Sequence, residues 1–176
     1  MTEFELQIQE DLHKYLQAQG CVEPVLPDAP DIEQMWEPIA QAYLPDGMRE
    51  FNGYPVVSLG WMMYVGMAVA LMWDEDWEHY SALDNIYLHL RDQRGYDAMD
   101  EYIREEVLHL SGAAYADIEK LTSECASRTY SKLLHSGIEA GTPEAFHAYV
   151  ACLHQLYLMG AAVQLASMGY RMTRVQ

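Results

Sequence analysis

The chain has 176 residues, 51% of them hydrophobic, and its 27 acidic and 10 basic side chains give a net charge of −17 at pH 7. This length favours one domain, and the hydrophobic content excludes a disordered chain. Residues 1–90 carry most of the acidic excess, and such a surface would repel a phosphate backbone. We therefore expect no nucleic-acid binding, and either a charge that serves solubility or a basic protein partner.

The three cysteines predict the redox compartment. Cys21, Cys125 and Cys152 are odd in number and form no CxxC pair, so we expect no disulfide framework and a reducing environment. The chain does not open with a basic segment followed by an apolar one, so we expect no secretory signal. Together these features predict a cytoplasmic location.

The N-terminal region predicts one helix and a linker. Thr2 and Glu5 have the spacing of a capping box, in which each side chain covers a free backbone amide. Apolar residues then recur at helical spacing, which predicts a helix over about 3–18 that ends before Gly20. Three prolines in residues 21–30 predict an extended linker that crosses the domain.

The next helix is predicted to start near Asp31 and to be short. Pro38 removes an intrahelical hydrogen bond, so we expect a kink or a break there. Pro45-Asp46-Gly47 has the composition of a turn and is expected to end the helix. Residues 48–57 could then form a small extended turn around Asn52-Gly53.

The segment Val56–Trp73 is the most apolar part of the chain, and Ser58 is its only polar side chain. A helix that is apolar on all sides lies in the middle of a helical domain or in a membrane. No Lys or Arg lies between Arg49 and Arg91 to orient a membrane helix. We therefore expect no membrane span, and a core helix over about 58–73 that is capped by Ser58.

Four further helices are predicted after this one. The fourth has an apolar stripe and ends in a turn at 91–95, the fifth is capped by Asp97, and the sixth covers about 113–136. Thr142-Pro143 starts the last helix, which runs to about Met168 and is apolar on most sides. The stripe residues of the fourth helix are Tyr80, Leu83, Tyr87 and Leu90, and those of the last are Phe146, Val150, Leu153, Tyr157, Ala161 and Leu165.

These elements predict an all-α fold. We expect one domain over 1–176, with about six or seven helices packed around the apolar helices 58–73 and 143–168. Within it, residues 1–44 would form an N-terminal helical pair joined through the proline-rich linker, and residues 58–170 the main bundle.

Two Glu-x-x-His pairs are the sequence features most suggestive of chemistry. Glu106 and His109 form one pair and Glu144 and His147 the other, and residues three apart on a helix share a face. Further glutamates precede and separate the pairs, namely Glu75 or Glu78 and Glu119 or Glu124. This order resembles the ferritin-like di-metal carboxylate proteins. The resemblance implies that the four paired residues are metal ligands of a di-iron or di-manganese oxidoreductase.

Both pairs also have an interpretation without a metal. Glu144 follows Pro143 directly, so it would lie in the first turn of its helix and stabilise the helix dipole. Glu144, His147, Ala151 and His154 follow one face, and this polar stripe can mark where an apolar helix meets water. No phosphate-binding loop and no hydrolase motif is present in the sequence.

The 13 tyrosines and 11 methionines suit either a core, a protein interface or an apolar ligand pocket. Because no catalytic motif is recognisable, our leading hypothesis is a protein that works by association without catalysis. We expect a homo-oligomer, most simply a homodimer, with its acidic half or an apolar groove contacting a partner. The alternatives are the di-metal oxidoreductase and a helical binder of a small apolar ligand.

Overall fold

The computed structural model describes residues 1–171, and within this range the chain forms helices and no strand. The eight α-helices are α1 (Glu3–Ala18), α2 (Pro30–Gln34), α3 (Trp36–Gly53), α4 (Pro55–Ser81), α5 (Ile86–Arg91), α6 (Met99–Tyr102), α7 (Gly112–Leu134) and α8 (Pro143–Ser167). A π-helical turn, Ile103–Val107, continues α6. The predicted all-α bundle around two apolar helices is confirmed.

The two apolar helices, α4 and α8, make the most extensive contact of the fold. Gly66 of α4 and Gly160 of α8 allow their backbones to touch. A Cβ atom at Gly66 would lie 2.0 Å from the carbonyl oxygen of Tyr157, and one at Gly160 would lie 2.1 Å from that of Met63. Any larger residue at either position would therefore push the helices apart. We call this contact the α4–α8 seam.

The remaining long helices cover the seam. Helix α7 packs against α4, where Gly60 lies beside the side chains of Thr122 and Ala126. Helix α1 packs against α8 and α7, and α3 packs against α4. Apolar residues buried from all of these helices form one continuous core.

The start of α1 agrees with its prediction only in part. The bounds are confirmed, and the Thr2 hydroxyl accepts a hydrogen bond from the Glu5 backbone N–H at 3.1 Å. The Glu5 carboxylate, however, turns away from the helix start and accepts from Nε2 of Gln155 on α8 at 2.7 Å. The reciprocal half of the capping box is replaced by a contact between helices.

The predicted turns at 45–47 and 48–57 are wrong, because α3 runs through both to Gly53. Gly47 is needed for close packing instead of a turn, since a Cβ atom there would lie 2.4 Å from the Tyr43 ring. Asp46 is buried and accepts hydrogen bonds from Tyr87 and Arg91 of α5. The break predicted at Pro38 falls earlier, at Met35 between α2 and α3.

Helix α4 begins earlier than predicted, at Pro55, and without a side-chain cap. It kinks at Asp76, whose dihedral angles are non-helical, and a second helical segment then continues to Ser81. Ser58, the predicted cap, is fully buried inside it. The predicted fourth helix is therefore divided between the end of α4, a turn and the short α5.

The C-terminal helices differ less from prediction. Asp97 does not cap α6, whose first flanking residue is Ala98. Helices α7 and α8 have nearly the predicted bounds, and Thr142 caps α8 by accepting from the Ala145 backbone N–H at 3.1 Å. Most of the predicted α8 stripe is buried, whereas Phe146 at its start is 37% exposed.

Both apolar helices are long and apolar enough to cross a membrane by length and composition alone. In this fold, 72% of the most apolar window of α4 and 67% of that of α8 are buried by other parts of the chain. Core helices of soluble proteins have the same length, composition and burial.

Candidate functional site

The predicted ligands Glu106 and His109 do not lie on one helix face. Glu106 is an exposed residue of the π-helical turn, and its carboxylate accepts a hydrogen bond from Arg94 at 3.2 Å. His109 follows that turn in the left-handed region, with φ 53°. Since the π-helical turn ends before His109, the helical spacing on which this pair was predicted is absent.

Glu144 and His147 are exposed residues of α8, three positions apart as predicted. They line a depression of about 420 Å³ against the start of α1, together with His154 at the end of the predicted polar stripe. The His154 ring stacks on Trp36 with a centroid distance of 4.7 Å, and its Nε2 lies 2.7 Å from a carboxylate oxygen of Glu33. This end of the stripe therefore joins α8 to α2 and α3.

The structure does not bring the two pairs into one metal centre. Across residues 1–171, no group of three or more His, Cys, Asp or Glu side chains is placed to hold a metal ion. The carboxylates of Glu119 and Glu124, proposed from sequence to complete the set, form ion pairs with Arg104 and Arg128. Metal binding stays a prediction, and the metal content of protein purified without chelator would test it.

A different region has the geometry of a binding site. An open groove of about 720 Å³ lies between the C-terminal part of α3, the C-terminal end of α7 and the N-terminal part of α8. It is bounded by the loop 135–142, and we call it the apolar groove. Its lining residues are Met48, Arg49, Phe51, Asn52, Tyr130, Leu133, Leu134, Ile138, Ala140, Gly141, Thr142, Ala145, Phe146 and Tyr149.

The rim of the apolar groove exposes large hydrophobic side chains. Leu134 is 62% exposed, Met48 46% and Phe146 37%, and all three lie around the same opening. Such residues are normal on a surface when they are scattered singly. Here three of them surround one concavity, which makes the groove the candidate binding surface.

The floor of the apolar groove is rigid and aromatic. The Phe51 ring packs against those of Tyr149 and Tyr130, with centroid distances of 4.8 and 5.9 Å. The Tyr149 hydroxyl lies 2.5 Å from Oγ of the buried Ser58, which donates a hydrogen bond to the Gly47 carbonyl oxygen at 2.7 Å. The groove floor is thereby hydrogen-bonded to α4 and α3.

Burial raises the pKa of the Tyr149 phenol above its ordinary value, although the hydrogen bond with Ser58 acts in the opposite direction. The floor of the groove is therefore uncharged at physiological pH.

The apolar groove is also unusual in its charge. Among its lining residues there is no carboxylate, although the chain contains 27 acidic residues. Arg49 is the one charged lining residue, and its guanidinium forms an ion pair with Asp46 at 3.1 Å. The groove is thus a largely apolar, carboxylate-free surface on a strongly acidic protein.

Comparisons with known protein families, with curated proteins and with solved structures give no match to this chain. The functional assignment therefore depends on the geometry and chemistry of the groove.

The sequence predicted an apolar groove as one possible contact with a partner but did not locate it. Phe146 was placed on the apolar stripe of the last helix, and neither Leu133 nor Leu134 was identified as a groove residue. One signal was present: Leu133 and Leu134 are adjacent in a helix, so they differ by about 100° in direction and only one of them can face the core. The contribution of Met48 could not be anticipated, because its region was predicted to be non-helical.

Proposed function

We propose that this protein works by association and not by catalysis, and that two copies contact each other through the apolar groove. The observation that carries the proposal is the carboxylate-free groove with three exposed apolar side chains on its rim. Because the groove is open and its rim residues are exposed to solvent, a partner protein surface would cover them.

A second copy of the chain is the occupant that the shape and charge of the groove favour. In a two-fold symmetric dimer the same surface patch is used by both subunits, so it must be complementary to itself. The shape of the groove supports such an arrangement, because a concave floor that contains Tyr149 lies beside the exposed Leu134. Leu134 of each copy would enter the groove of the other.

The charge distribution restricts where such a contact can form. Two chains that each carry a charge of −17 repel each other, and contact between surfaces rich in carboxylates would be costly. The apolar groove lacks carboxylates among its lining residues, so a copy approaches there with the least repulsion. Since salt screens charges beyond a Debye length of about 8 Å at physiological ionic strength, added NaCl should strengthen the dimer.

Sedimentation velocity tests the proposal on the wild type and on two matched variants. Leu134→Glu places a charge in the groove, whereas Leu6→Glu makes the same change at a residue of α1 that is 44% exposed and outside the groove. We expect wild type and Leu6→Glu to form dimers between about 1 and 100 µM, and Leu134→Glu to be monomeric. At a concentration low enough that the wild type is monomeric, both variants should unfold at nearly the same denaturant concentration as the wild type.

Two results would contradict the dimer. One is a wild-type monomer over the whole concentration range in high salt. The other is equal loss of association in both variants, since this would indicate a general effect of added charge. A monomer that carries an apolar small molecule in native mass spectrometry would assign the groove to ligand binding instead.

A further inference from the structure

A second cavity lies at the opposite end of α8, beneath the proline-rich linker. It has a volume of about 150 Å³ and is floored by the buried side chains of Ile32, Ala162 and Leu165. A cavity of this size holds a benzene-sized molecule. Tyr149 of the apolar groove and Ala162 of this cavity are the nearest α8 residues of the two sites, and 13 positions correspond to roughly 20 Å along a helix. We call it the linker cavity.

Two aromatic side chains, Trp73 and Tyr170, form one wall of the linker cavity. Their ring centroids are 5.4 Å apart and their planes meet at 63°, so the two rings form a corner. The Trp73 Nε1–H donates to a carboxylate oxygen of Asp31 at 3.0 Å, and the Tyr170 hydroxyl donates to Asp74. Both rings are thus held in place by hydrogen bonds to carboxylates.

The charge around the linker cavity is negative. Glu23, Asp28 and Asp31 line it, and Arg171 is the one basic residue among its described lining residues. Arg171 already forms an ion pair with Glu23, with Nε 2.9 Å from Oε1. Asp28 and Asp31 are exposed and take part in none of the ion pairs within residues 1–171, and the hydrogen bond from Trp73 occupies only one carboxylate oxygen of Asp31.

We propose that the linker cavity binds a small alkylammonium cation. A cation is attracted to the faces of aromatic rings and to carboxylates, while its alkyl groups require an apolar floor. The linker cavity provides all three within one small volume. A cationic ligand would also account for the acidic residues around the linker cavity. This proposal does not depend on the association through the apolar groove.

Calorimetric titration with choline tests the proposal, with 3,3-dimethyl-1-butanol as the uncharged molecule of the same shape. We expect saturable binding of choline, and binding of the neutral alcohol about tenfold weaker or less, because a desolvated cation–π contact contributes about this factor. Asp31→Asn and Trp73→Leu should each weaken choline binding about tenfold. Trp73→Phe keeps an aromatic face and should weaken it less.

Asp84→Asn is the matched control, since it removes the same charge from an exposed residue outside the cavity. It should bind choline as the wild type does, and melting curves should show all variants folded. The proposal is overturned if choline shows no saturable binding up to about 10 mM, which corresponds to a negligible affinity. Equal binding of the neutral alcohol would also overturn it, as would equal weakening by Asp31→Asn and Asp84→Asn.

Discussion

The α4–α8 seam and the apolar groove are both built from apolar and aromatic side chains, but only the seam is closed by the fold. At the seam, Gly66 and Gly160 bring two backbones into contact and leave the surrounding side chains buried. At the groove, Leu134 and Phe146 remain exposed beside an aromatic floor. The same α8 helix contributes to both.

This difference separates the residues that stabilise the monomer from those that remain available for association. A change at the seam must disturb packing on both sides, so its effect appears in the free energy of unfolding. A change on the groove rim removes little that is buried in the monomer, so its effect should appear in association alone. The following predictions test this separation, from the largest expected effect to the smallest.

Gly66→Ala is expected to be the most damaging single change. The added methyl group would overlap the Tyr157 carbonyl, and because backbone cannot move aside cheaply, the free energy of unfolding should fall by about 3 kcal/mol or more. Urea denaturation measures this loss. Gly60→Ala on the same helix is the control, since a Cβ atom there would lie an ordinary 3.5 Å from its nearest neighbour, the Cβ atom of Ala126. Gly60→Ala should be neutral or stabilising by up to about 1 kcal/mol. Equal destabilisation by the two changes would show that the helices are not in backbone contact at Gly66.

Ser58→Ala should have the next largest effect, because Ser58 links the seam to the groove floor. Its removal leaves the Gly47 carbonyl and the Tyr149 hydroxyl without this partner, which should cost about 1–3 kcal/mol in urea denaturation. Tyr149→Phe removes one of the two contacts and should cost less. The effects of the two changes should not add in the double variant, because both remove the same hydrogen bond. Additive effects would disprove the link.

Alkaline pH should weaken the buried core, which contains the thiols of Cys125 and Cys152. Burial raises the pKa of the Cys125 and Cys152 thiols from 9.0 to about 12. Between these values the unfolded chain has lost protons that the folded protein still binds, so the free energy of unfolding falls as pH rises. Each thiol contributes at most about 1.4 kcal/mol per pH unit.

Urea denaturation at several pH values between about 8 and 11 measures this slope. The variant Cys125→Ala should reduce it, whereas Leu134→Glu on the groove should leave it unchanged. A slope that Cys125→Ala does not alter would exclude this thiol as a source of the pH dependence.

Leu134→Glu should have the smallest effect on stability. The side chain is 62% exposed, so its replacement should change the free energy of unfolding by no more than about 0.5 kcal/mol while it abolishes association. Denaturation should be measured at a concentration low enough that the wild type is monomeric, since dimer formation itself stabilises the folded state. A large loss of stability in the monomer would instead make Leu134 part of the core.

Local signals were sufficient to predict the apolar helices and the caps at Thr2 and Thr142. They failed where contacts distant in sequence decide the structure. Pro45-Asp46-Gly47 has turn composition, yet it is helical because Asp46 is bound by residues of α5 more than 40 positions away and Gly47 must fit beneath Tyr43. Such contacts have no signature within the segment itself.

The candidate site was less accessible to sequence reasoning than the fold. The Glu-x-x-His pattern assumed helical spacing at His109, and the π-helical turn before it removes that spacing. The apolar groove combines residues from α3, a loop and two further helices, so it exists only after packing. Leu134 of the groove has the same residue type as a core leucine, and only the direction of its side chain makes it exposed.

Hydroxyl-radical footprinting at low and high protein concentration would test the groove interface most directly, because it reports the exposure of individual side chains. We expect Met48, Leu134 and Phe146 to become protected from oxidation as the concentration rises from about 1 to 100 µM, while the exposed Leu6 of α1 does not change. Unchanged oxidation of the three rim residues, or protection at Leu6 instead, would contradict the assignment of the apolar groove as the contact between two copies.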